Sequence, residues 1–337
     1  MLTEVFLPLR LEMFFDNGQI LALISSAVAL VFVVLSCCAA WFSRGSTAVP
    51  AALWSATAAF IFALSMLQQA TEQLDIAPMA IHRVVVAALS VCPAMSLLGA
   101  KRPQHGVWQF IVGALAAVLA LPTASAVLIR PGGLPDLHIL GRLFLPILIM
   151  VGWMNFVGTG RWIAATLIAV GHIGLIWPLL PGNLLETALP QAGLDLAAIV
   201  CMTAGGGLAF IQTVRAISRR RVAQAVPHGT SQENAVFVSR VNNSFIPLRE
   251  TLGAAWTLRF IERFEVLATR RGWPLRLTLK GAEFTNKGVE STDNLGAQDW
   301  QPDAARALEA LLRRFVSTGW LKRHGCCSVA AWRPRAR

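Results

Sequence analysis

Residues 196–221 read LAAIVCMTAGGGLAFIQTVRAISRRR. From Leu196 to Val214 there is no charge, and at ~1.5 Å per residue the run is about 28 Å long as a helix, the thickness of a bilayer's hydrocarbon core. Arg215, Arg219, Arg220 and Arg221 then follow almost at once. An apolar span that ends in a cluster of arginines marks the place where a chain leaves a membrane on its positive side. Everything before it reads as membrane. Everything after it reads as a polar, basic domain.

Composition supports that division. The chain has 337 residues, 55% of them hydrophobic and 14% charged, with a mean hydropathy of +0.58. Soluble domains carry roughly a quarter charged residues. The net charge of +11 is not spread evenly. Residues 1–214 hold eight Lys/Arg and eight Asp/Glu and are neutral, so residues 215–337 carry 21 Lys/Arg against 10 acids and all of the excess. Attraction of the juxtamembrane arginines to anionic lipid head groups is the direct expectation.

Working back from the deciding stretch, apolar runs place seven spans at 18–43, 47–67, 77–100, 106–129, 139–158, 161–181 and 193–214. The fifth and sixth are joined by Gly158-Thr159-Gly160 and must form a tight antiparallel hairpin. Alternate connections carry Arg44, then Lys101 and Arg102, then Arg161, then Arg215, with no acid among them. All eight acids of this half fall on the other set. The positive-inside rule then puts the N-terminus outside and the C-terminus in the cytosol of an inner-membrane protein. Trp41, Trp54, Trp108, Trp153, Trp162 and Trp177 lie mostly near span ends, where amphipathic rings collect. Residues 1–15 are too short and too charged to span, and read as an interfacial amphipathic segment. No removable signal peptide is legible.

The remainder divides at residue 215. Residues 216–235 read as a basic linker, with Val226 to Gln232 its flexible part, and 236–337 as a small α+β domain. In it, Pro247 to Arg271 carries Leu248, Leu252, Trp256, Phe260, Phe264 and Leu267 at helical spacing, with Pro247 in the first turn and Gly272 as the stop. Leu275, Leu277 and Leu279 alternate with polar residues as a half-buried strand. Gly281 to Trp300 reads as polar loop, Pro302 to Thr318 as a helix stopped by Gly319, and Ser328 to Trp332 as a last strand. The expected fold is thus an all-α membrane bundle of about seven helices (18–215) behind an N-terminal segment (1–17), followed by a soluble α+β domain.

Polar groups at membrane depth are costly and mark sites. His172 sits mid-span between Gly171 and Gly174, where a neighbouring helix can come close. Asn155 lies at the inner end of the fifth span, as an interhelical hydrogen-bonding group. His82, Arg83 and Arg142 lie near the outer side, with Arg83 set to snorkel or to pair with Glu72 or Asp75. Together with Asp136 these three outline an outward-facing polar pocket. His82 and His172 differ too much in depth to share a haem. The glycines 205–207 lie inside the seventh span, as packing surface rather than phosphate cradle. Cys326-Cys327 has no ligand cluster beside it, and no cofactor or metal is expected.

No GxSxG, HExxH, P-loop or kinase string is present, so no catalytic residue is assigned. Leu311 to Gly325, with Arg313, Arg314, Lys322 and Arg323, only superficially resembles the last helix and wing of a winged helix. A strand and a long polar loop stand where its earlier helices belong, so nucleic acid is not an expected partner. The expected function is a sensor-like or receptor-like membrane module coupled to a cytosolic domain that binds a protein partner. The alternatives are a small-molecule transporter or intramembrane enzyme centred on His172, or a structural subunit of a membrane complex.

Overall fold

The computed structural model describes residues 17–71, 76–99, 105–129, 139–180, 191–225, 233–284 and 300–324. Seven helices precede the C-terminal domain: α1 (Asn17–Phe42), α2 (Val49–Thr71), α3 (Ile76–Leu98), α4 (His105–Ile129), α5 (Ile139–Met154), α6 (Trp162–Ile176) and α7 (Gln191–Ala225). A 3-10 turn, Trp177–Leu179, extends α6. Five of the helices are long and apolar enough to cross a membrane: α1, α2, α3 over Ile81–Leu98, α6 with its turn, and α7 over Gln191–Ser218. Gly106–Pro122 of α4 and Gly141–Met154 of α5 are apolar but shorter, so length reduces the seven expected spans to five candidates.

These helices are built inside out. On α1 the buried positions are small, Ala22, Ser25, Ser26 and Ala29, with Phe32 beyond them, while Leu30, Val31 and Val34 are exposed. In lipid a large side chain gains nothing by turning inward, and small residues let helices approach. Ser26 Oγ donates to Ala63 O of α2 at 2.9 Å. Gly171 lies so close to α7 that a Cβ there would stand 2.5 Å from Ala198 O, and one at Gly205 would stand 2.7 Å from Ala164 O of α6. Successive contacts close a ring in the order α1, α2, α3, α5, α6, α7 and back to α1. The fourth helix packs on the outer side of α3, where Trp108 Nε1 donates to Met95 O at 2.8 Å.

After α7 come α8 (Glu233–Leu252), α9 (Ala254–Arg271), a hairpin of β1 (Leu275–Thr278) and β2 (Gly281–Phe284), α10 (Trp300–Leu312) and α11 (Thr318–Arg323). The strands pair antiparallel with Leu275 opposite Phe284. Phe237, Phe245, Leu252, Phe264, Leu277 and Leu312 form the centre of its core, each almost fully buried.

Several local expectations are corrected here. Pro247 lies inside α8 rather than at a helix start, and the break falls at Gly253, whose φ of 83° is open chiefly to glycine. Gly281–Phe284 is a strand, not loop; Asn242 Oδ1 of α8 accepts from Ala282 N at 2.7 Å and fixes it there. Gly319 lies inside α11, because the preceding helix already ends at Leu312 and Ser317 caps a new one by accepting from Trp320 N at 3.2 Å. The seventh helix runs on through Arg219, Arg220 and Arg221 to Ala225, so the start of the expected linker is helical. Residues 1–15, 226–232 and 328–332 lie outside the described residues, as do Cys326 and Cys327.

The ring packing makes a test by opposite signs. Gly171→Ala should lower the melting temperature of the detergent-solubilised chain, as overpacking by a methyl costs ~1–3 kcal/mol. Gly207→Ala, where a Cβ meets nothing within 4 Å, should leave it unchanged or raise it.

Candidate functional site

A partly open cavity of about 250 Å³ lies among the six helices of the ring. Its walls are overwhelmingly apolar: Phe32 and Phe62 from α1 and α2, Val91 from α3, Ile149 from α5, Ile168 from α6 and Met202 from α7. Five polar side chains reach it, Ser55, Ser90, Asn155, Arg161 and His172. The two serines are satisfied locally, by Ala51 O at 3.1 Å and Ala87 O at 2.8 Å. His172 stands on α6 ten residues from its start, beside the Ser90 main chain of α3. This is the arrangement expected of a ligand pocket: an apolar enclosure with a few polar groups that fix orientation.

One end of the cavity is the seat of the C-terminal domain. Just past α5, Asn155 grips the corner between α8 and α9. Its Nδ2 donates to Leu252 O at 2.9 Å, its Oδ1 accepts from Ala255 N at 3.0 Å, and its own carbonyl accepts from Ala254 N at 2.5 Å. The first amides of a helix have no partner within it, so a group from another part of the chain caps α9. Gly253 is required here twice over, for its positive φ and because a Cβ would lie 2.3 Å from Asn155 Nδ2.

Two further joints hold the domain. Trp256 Nε1 donates to Leu97 O at the end of α3, at 2.7 Å. The turn between α1 and α2 pairs with the segment before α11: Thr47 N donates to Phe315 O at 3.0 Å and Ser317 N to Gly45 O at 2.6 Å, with a bridge between Ser46 and Val316. Beside Asn155, Gly160 N donates to Glu250 Oε1 at 3.1 Å, while Arg161 Nη2 donates to Thr213 Oγ1 of α7 at 2.7 Å. Burial draws the Arg161 guanidinium below its ordinary pKa, and the Glu250 carboxylate draws it back up. Asn155, Arg161 and Leu97 therefore belong both to the cavity wall and to the joint.

The structure sorts the residues singled out from sequence. His172 and Asn155 share the cavity; His82, Arg83 and Arg142 are half-buried and do not line it. Arg83 pairs with Asp195 of α7 at 3.4 Å, not with Glu72 or Asp75, which lie outside the described residues together with Asp136. Gln191 Nε2 donates to the other oxygen of Asp195 at 3.0 Å, so this pair is a strut between α3 and α7. Arg215 is exposed near the end of the apolar part of α7, and Arg219, Arg220 and Arg221 continue the same helix. Asn155 does not bond between membrane helices as expected; it bonds to the C-terminal domain. The sequence marks Arg161 only as a positive connection and Trp256 only as a buried helical position, and gives Leu97 and Gly253 no role, although a glycine within an amphipathic helical pattern is a legible sign of a break. Among the described residues no cluster of His, Cys, Asp and Glu could hold a metal.

No family model, curated protein or solved structure matches this chain. The joint can be tested directly. Asn155→Ala removes both side-chain bonds and should cost ~1–2 kcal/mol, the worth of a helix cap. Amide exchange at Ala255 to Thr257 should speed by about tenfold while exchange in α10 stays unchanged. Gly253→Ala should act in the same direction and more strongly.

Proposed function

We propose that the protein is a membrane receptor-like module, in which occupancy of the intramembrane cavity is felt by the C-terminal domain. The observation that carries this reading is that three cavity-lining residues, Asn155, Arg161 and Leu97, are also contacts of that domain. A ligand that moves α5 or the end of α3 by a fraction of an ångström must either strain or release those hydrogen bonds. Such a ligand shifts the domain's equilibrium by its difference in affinity for the two states.

On this reading all seven helices cross an inner membrane, with the N-terminus outside. Support comes from the joint itself. The loops carrying Arg44 and Arg161, and the end of α3 just before Lys101 and Arg102, all meet the C-terminal domain and so lie on one face. These are the positively charged connections, which face the cytosol in helical membrane proteins. Arg215, Arg219, Arg220 and Arg221 then meet anionic lipid at that face. The C-terminal domain hands the signal to a cytosolic protein partner.

Two measurements test this. A fluorescent protein fused after Arg337 should shine, and an alkaline phosphatase fused at the same place should stay inactive; active phosphatase would reject the orientation. Ala169→Phe fills the cavity from α6 and should change amide exchange at 253–257 severalfold, whereas Val170→Phe on the exposed face of the same helix should not. Equal exchange in both variants would sink the coupling.

A further inference from the structure

A second pocket, also about 250 Å³, lies in the C-terminal domain between α9 and the turn after α10. Trp256 and Phe315 line it, their rings 5.4 Å apart between centroids. Arg259 and Arg263, one turn apart on α9, and Arg314 from the turn supply its charge, with Glu262 as the carboxylate in its lining. Elsewhere in the domain the guanidinium groups of Arg271, Arg276, Arg306 and Arg313 pair with Asp303, Glu265, Asp303 and Glu309. Arg259, Arg263 and Arg314 have no carboxylate partner among the described residues. Arg259 lies 5.0 Å over the Trp256 ring, which holds its plane and leaves its edge donors available. Cations gathered this way repel one another until an anion joins them, and planar guanidinium forks match phosphate oxygens.

The position of the pocket limits what that anion is. Trp256 is fastened to Leu97 O at the end of α3, and Phe315 accepts from Thr47 N at the start of the turn into α2. Arg259 lies five residues along α9 from Ala254, a rise of about 7.5 Å, and the Ala254 amide bonds to Asn155, the residue just past the end of α5. The head-group layer on each side of a bilayer is about 5–7 Å thick. We propose that Arg259, Arg263 and Arg314 form a site for a phosphate group, carried by a phospholipid head group or arriving as the free anion. The site is separate from the cavity, so it stands whether or not the cavity takes a ligand.

The test is thermal melting of the full chain in a non-ionic detergent. Dioctanoyl phosphatidic acid, inorganic phosphate and dioctanoylglycerol, which has the same chains without phosphate, are each titrated in. The expected result is a saturable rise in melting temperature with a phosphate-bearing probe and none with dioctanoylglycerol. The half-saturating concentration should rise at least tenfold in R259Q/R263Q/R314Q and stay unchanged in R270Q/R276Q. Because the three arginines are exposed, the unliganded variant should melt with the wild type; the single Arg314→Gln, outside any helix, should shift the titration in the same direction by a smaller factor. A response to phosphatidic acid with inorganic phosphate inert assigns the lipid as source, and equal responses assign the free anion. Wild-type titrations in both the triple and the single variant, or a rise with dioctanoylglycerol as large as with phosphatidic acid, would overturn the proposal.

Discussion

The structure depends on one residue at the end of α5 capping the first turn of α9 in the C-terminal domain. Asn155 offers its side chain and its carbonyl to the break between α8 and α9, and Gly253 keeps clear the space it enters. Neither half completes the arrangement alone. Without Asn155 the first amides of α9 face an apolar surface with no partner, which costs more than the bonds themselves are worth in water. With it, the two parts share a core: Ala48 and Leu97 pack against the same cluster as Phe245, Trp256 and Phe315.

That constraint explains where the cavity ends. A ring of helices drawn together by small residues can close wherever two faces of alanine, serine and glycine meet, as at Ser26–Ala63 and Gly171–Ala198. It cannot close where a polar residue must reach outward to hold another domain. Asn155 and Arg161 line the cavity where α5 and α6 meet the C-terminal domain. The apolar walls and the polar floor follow from two packing rules meeting, the small-residue rule inside the membrane and the capping rule at its surface.

Much of this was legible in the sequence, for definite reasons. Helix positions in 17–225 follow from uninterrupted apolar length, a signal that tertiary structure scarcely alters, and the expected and observed limits differ by a few residues in most cases. Asn155 and His172 stood out because polar groups in apolar runs are rare. Their roles did not, because the partner of Asn155 lies about a hundred residues away and no local pattern encodes that pairing. The same blindness hid the Arg83–Asp195 strut, where nearer acids at 72 and 75 drew the eye. In the C-terminal domain Pro247 misled: its fixed φ suits a helix start, yet it is tolerated within α8, which is held by Phe237, Val241, Phe245 and Leu248 on one buried face. Proline rules describe local cost, and four buried side chains at ~1.5–3 kcal/mol each outweigh it.

Charge carries the argument one step further. The net +11 of residues 215–337 looks like a uniform property of a basic domain, but its arginines are in two states. Arg271, Arg276, Arg306 and Arg313 meet acids within the domain, as Arg249 does beside the joint, so they contribute structure and little field. Those beside Trp256 and Phe315, close to the ends of the membrane helices, are left unneutralised. On the proposed reading, the unneutralised charge of Arg259, Arg263 and Arg314 would attract the domain to an anionic surface, in addition to the hydrogen bonds at Asn155, Leu97 and Thr47. Hydrogen bonds are short-ranged and fix orientation, while charge acts over the salt screening length of about 8–10 Å and sets approach. If the proposed relay operates, the two together would let the joint loosen at Asn155 while charge and the bonds at Leu97 and Thr47 still hold the domain in place.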